Sequence, residues 1–266
     1  MGMDQLGFNR WNFCAVGLMA LISCSGCSLW DSITSRDFRV RNLFKPEDPP
    51  LVVLEKSVDG DMRAAALAKL KEPLAHGGTS QEQEKVLKVL TEAALMDRQA
   101  LCRLQAIQTL KQFKDSRVPG VLRDAYYRAS NFNPETGNVI KCQALEALGE
   151  ARSPDGLEIL IKVLREPAVI GSEQERQQKL DERIVAAKAL GKYKEYQATE
   201  NLLALLQADQ DVALRNCCRD SLVAITGKEL PAEYSSWEAY LHQGNRPREE
   251  NPGFFGKILQ TAGWKN

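Results

Sequence analysis

Glu182-Arg183-Ile184-Val185-Ala186-Ala187-Lys188-Ala189-Leu190-Gly191 decides the fold of this chain. It carries a basic residue, a small residue three positions later and a leucine seven positions later. Ala186, Ala189 and Leu190 fall at helical spacing on one face. Small residues there let a neighbouring helix approach, and the leucine fills the gap between the two. The signature recurs as Arg63/Ala66/Leu70, Arg103/Ala106/Leu110, Lys141/Ala144/Leu148 and Arg215/Cys218/Leu222. Successive basic residues are 40, 38, 42 and 32 positions apart. A self-similar period of this size predicts an all-α solenoid, a stack in which each unit packs only on its neighbours.

The signature belongs to the second helix of each pair. The first helices have stripes of their own: Val118, Val121 and Leu122; Leu157, Leu160, Ile161 and Leu164; Leu202, Leu203, Leu205 and Leu206. Turn residues separate the elements at Asp115-Ser116, Ser153-Pro154-Asp155-Gly156 and Asp209-Gln210-Asp211. Helix pairs are expected at about 51–72, 80–113, 117–151, 154–193 and 196–226, with a last helix over 232–242. Gly149 and Gly191 fit either helix C-caps or close-packing positions.

These residues resemble the HEAT-repeat family, in particular its short PBS-lyase-like type. That family carries an Asp in the turn, then Val-Arg, two Ala positions and Leu-Gly. Asp61-Met62-Arg63, Asp181-Glu182-Arg183 and Asp211 to Arg215 approximate the start of the pattern. Lys71 and Lys111 stand where Gly is usual. Ile225-Thr226-Gly227-Lys228 with Trp237 is similar to the terminal cap of bacterial members. The resemblance covers about 51 to 242. It implies a right-handed α-solenoid of about five HEAT-like helix pairs that holds a protein partner. It also implies that Arg63, Arg103, Lys141, Arg183 and Arg215 form a structural ladder with the turn Asp residues.

Composition narrows the partner. Thirty-five basic and 35 acidic residues leave no net charge, and aromatic residues are 7% of the chain. A nucleic-acid partner needs a basic face, and single strands need stacking platforms, so neither is expected.

The N-terminus has a different organisation. Trp11 to Ile22 is apolar except for Asn12, too short for a membrane span and the right length for the apolar core of a secretory signal. Leu21-Ile22-Ser23-Cys24 resembles the lipobox of bacterial lipoprotein signal peptides, which implies a signal over 1–23 and lipidation of Cys24, with Cys27 as the alternative. Several acyl chains on one Cys give firm anchoring. Residues 24–50 then read as a tether ending in Pro46, Pro49 and Pro50, and 51–243 as the solenoid. A linker and a short amphipathic tail with Phe254, Phe255, Ile258, Leu259 and Trp264 occupy 244–266. The expected location is the cell envelope, facing the periplasm or exterior.

Insertions within repeats map to one face of a solenoid, often the binding face. The turn between paired helices is short at 207–212 and lengthens to 129–138 in the third unit and 166–180 in the fourth. Phe132, Val169 and Ile170 on these loops are the candidate partner anchor. Part of the longer insertion, from Ser172, also fits an upstream extension of the second helix.

No catalytic residue, metal site or cofactor is expected. His76 and His242 lack Glu or Cys at metal-ligand spacing. Cys102, Cys142, Cys217 and Cys218 read as small core residues. An enzyme or accessory related to the bilin lyases is the alternative by fold analogy alone, and a purely structural envelope component is another.

Overall fold

The computed structural model describes residues 48–167 and 170–243. The signal over 1–23, Cys24 and Cys27, the tether short of Asp48, Val169 and the tail over 244–266 lie outside the described residues.

Eleven α-helices follow one another, with helical turns at Leu74–His76 and Ala129–Asn131 and no strand among the described residues. They are α1 Pro50–Lys56, α2 Gly60–Ala68, α3 Ser80–Met96, α4 Ala100–Leu110, α5 Val118–Arg128, α6 Pro134–Ala151, α7 Pro154–Arg165, α8 Glu173–Leu190, α9 Tyr196–Ala208, α10 Val212–Thr226 and α11 Tyr234–His242. The protein is an all-α solenoid. Odd-numbered helices form one layer and even-numbered helices the other. Each odd helix through α9 packs on the even helix that follows it, and each even helix packs on the next even helix. One unit, beginning at Pro49, contains them all.

The five expected pairs are present, and local chemistry fixes their ends. Thr79 and Ser172 close capping boxes with Glu82 and Glu175 at the starts of α3 and α8, each satisfying two otherwise orphaned donors. Asp59, Asn133, Ser153 and Asp211 accept backbone N–H groups at the starts of α2, α6, α7 and α10. Pro134 and Pro154 occupy first-turn positions where the missing N–H costs nothing. Asp61, read as a turn residue, stands inside α2, because Asp59 is the cap.

The core is one continuous seam between the layers. Its axis is the signature residues: Ala66, Leu70, Ala106, Leu110, Ala144, Leu148, Ala186, Leu190, Cys218 and Leu222 are all buried. Gly149 turns out to be a close-packing position, and Gly191 is both the C-cap of α8 and closely packed. Gly149 lies within α6, where a Cβ would come 2.7 Å from the Cβ of Ala189. Gly191 keeps right-handed backbone, and its Cβ would meet Ser221 at 3.0 Å. The left-handed C-cap of α6 is Arg152 instead, at φ 48°.

The stack closes on α11, which packs on α9. Trp237 is fully buried there and donates its indole N–H to the Pro231 carbonyl at 2.9 Å. A large apolar ring with its one donor satisfied suits a terminal cap.

Candidate functional site

The five basic residues reach from unit to unit, by three different routes. Arg63 donates to Asp97 Oδ1 at 2.8 Å, and Arg183 to Asp209 Oδ2 at 2.6 Å. Both acceptors sit at the C-cap of the next unit's first helix. Both also accept the backbone N–H two residues on, from Gln99 and Asp211, which holds the turn in shape. Each stands six residues before its own unit's basic residue, Arg103 or Arg215. That spacing was legible in the sequence and identifies the ladder carboxylates better than Asp61 or Asp181.

Six residues before Lys141 and Arg183 come Glu135 and Gln177, which lie inside helices. The reason is length. Helices α2, α4 and α10 begin three residues before their basic residue, but α6 begins seven before and α8 ten before. The expected loops over 129–138 and 166–180 are therefore mostly helix. What remains is a short turn at Ala129–Asn133 and the segment 166–172. Asp181 is mid-helix, not in a turn.

The two extended units replace the turn Asp with other groups. Arg103 donates to the carbonyls of Asp97 (2.8 Å) and Arg128 (3.4 Å), and its guanidinium lies 4.6 Å from the Phe132 ring centroid. Phe132 is therefore half-buried, packed on the core and stacked on a cation. This corrects its reading as an exposed anchor: the early start of α6 pulls it under the turn. Ile170, by contrast, is fully exposed. Lys141 pairs with Glu182 Oε1 at 3.0 Å. Glu182 is only 3% exposed, so its charge needs several partners. It has them: the Tyr126 hydroxyl donates to Oε2 at 2.8 Å, and Lys179 lies 3.5 Å away while also bonding Glu166. Burial and the Glu182 charge push the Tyr126 phenol well above its usual range. The hydroxyl is thus a fixed donor.

Outside this buried network, the extended halves of α6 and α8 leave a groove between them. Toward their C-termini the helices touch through Gly149 and Ala189. Toward their N-termini the glycine of α6, Gly137, faces the Ala129 carbonyl rather than α8, and an open groove runs from Glu135 to Glu146 along α6. Val139, Cys142, Ile184 and Val185 line it with apolar surface. Glu135, Glu146, Glu173 and Asp181 stand around it, and no Lys or Arg lines it. Val139 is 53% exposed, and Leu101 on α4 continues the apolar surface at the same register. Ile170 lies three residues before Glu173, which lines the groove. Sequence reasoning missed this groove, because it depends on how closely two helices approach.

Little in the structure offers bond-making chemistry. Burial pushes the thiols of Cys142 and Cys218 up to about 12 and that of Cys217 to about 11. Thiolates are the nucleophilic form, so these groups are inert at neutral pH. Cys102 is buried and contacts the Gly60 carbonyl at 3.3 Å. No three metal-ligating side chains converge among the described residues. His76 Nδ1 is 2.9 Å from the Glu72 carbonyl, an anchor for its own loop.

The sequence profile of the PBS lyase HEAT-like repeat family matches residues 140–166, the core of α6 through α7. The match covers most of α6, one wall of the groove, and α7 of the following unit. No curated protein matches the chain. The profile match and the two-layer stack together place a HEAT-like repeat within an all-α solenoid.

Proposed function

We propose that this HEAT-repeat solenoid is a protein-interaction scaffold, held at a membrane of the cell envelope by lipid on Cys24, and that it acts by binding rather than catalysis. The groove between α6 and α8 carries the reading. It is open along its length, apolar at its base and acidic around it, which suits a helix or extended segment of another protein better than a small molecule that must be enclosed. The anchor rests on the Leu21-Ile22-Ser23-Cys24 segment. No helix among the described residues is long and apolar enough to cross a membrane, so membrane attachment in this reading depends on the lipid.

The test is an in-cell crosslink and pull-down of the full-length protein beside a Val139→Asp, Ile184→Asp variant. A recurrent partner lost from the variant is expected. A partner retained by it would move the site elsewhere on the solenoid. Palmitate labelling lost in Cys24→Ser and kept in Cys27→Ser is expected for the anchor. Visible absorbance on co-expression with a bilin pathway would favour the lyase-like reading instead.

A further inference from the structure

The groove between α6 and α8 has an occupant within the chain itself. We propose that the C-terminal segment Phe254–Trp264 docks into it and covers Val139, Ile184 and Val185. The docking stands on the groove alone and does not depend on the scaffold reading.

Charge is the first argument. Glu135, Glu146, Glu173 and Asp181 surround the groove; Glu146 and Glu173 already pair with Lys111 and Arg176 from outside its lining. The side chains that meet Glu135 and Asp181 are the amides of Gln174, Asn138 and Gln177, which leave both charges without a cation. Residues 252–266 carry Lys257 and Lys265 and no carboxylate side chain. A cationic segment on an acidic rim gains in orientation and rate of encounter.

Shape is the second. Phe254, Phe255, Ile258 and Leu259 recur at positions i, i+1, i+4 and i+5, one face of a helix. Eleven helical residues span about 16 Å, and so does α6 from Glu135 to Glu146, eleven positions apart. Lys257 falls outside that apolar face, where it meets the rim.

Reach is the third. The described chain ends at Gln243, after a helix packed on α9. With helix axes about 10 Å apart, the groove lies two and a half repeats along the stack and a layer across from α11, roughly 30 Å away. The ten residues 244–253 extend to about 33 Å. The linker is long enough.

The experiment places a photo-crosslinking phenylalanine analogue at Val139 in the full-length protein, with a control analogue at Met62, which is also exposed but lies on α2. Mass spectrometry of the monomer is expected to find Val139 joined to a peptide within 254–265, and Met62 not. Lys257→Glu should lower that yield about threefold, and Phe255→Ser about tenfold. Neither variant touches the solenoid core, so a lost crosslink is not a lost fold. A Val139 crosslink that reaches no tail peptide overturns the proposal. So does one found only between two copies, or a tail that binds anionic vesicles while leaving the groove unlabelled. Absence of any partner with the tail crosslink intact would sink the scaffold reading and leave the docking standing.

Discussion

At the residue scale, position 149 shows how little space the stack leaves. Gly149 lets α6 and α8 meet, because a methyl group there would press 2.7 Å from the Ala189 Cβ and 2.9 Å from its Cα. Backbone on the far side does not yield as a flexible side chain does. Gly149→Ala is therefore expected to cost about 1–3 kcal/mol despite the better helix propensity of alanine. Urea denaturation checks this, and an unchanged or higher midpoint would mean that the two helices slide apart freely.

At the scale of elements, α6 and α8 differ from the other second helices by one and two extra turns, and those turns rearrange everything nearby. They consume the loops, displace the turn carboxylate and require Glu182 to take its place inside the interface. The replacement is a costly one to disturb. Removing Glu182 would leave the Tyr126 hydroxyl and the Lys141 ammonium without an acceptor, and Lys179 with Glu166 alone. Glu182→Ala should destabilise the protein by about 3 kcal/mol, and Tyr126→Phe by about 1 kcal/mol. Equal effects in denaturation would show that the carboxylate is solvated rather than shared.

At the scale of the molecule, stability is a sum over neighbouring units, because the described helices pack chiefly on those of their own and adjacent units. Arg183 spans the fourth and fifth units through Asp209, both side chains largely buried. Arg183→Ala should speed amide hydrogen exchange in α9, α10 and α11 by about a hundredfold, while α2 to α4 change by less than about twofold. A uniform increase across all helices would overturn the picture of a divisible stack and indicate one cooperative unit.

The amino-acid sequence by itself determined the repeat, the pairing of helices and the seam between layers. Burial of a small residue and a leucine at helical spacing is a local, periodic demand, and Ala186 and Leu190 announce it wherever they recur. The ladder partners were half legible, since Asp97 and Asp209 stand at a fixed six residues before Arg103 and Arg215. Tertiary structure alone decided the rest. Phe132 was read as a partner anchor because it falls on the lengthened turn over 129–138, yet a cation one unit away stacks on its ring. Glu182 looked like one surface charge among many until packing of α6 on α8 closed over it. The groove exists because Gly149 brings two helices together at one end and bulkier residues keep them apart at the other, a distance between elements that no single stretch of sequence encodes.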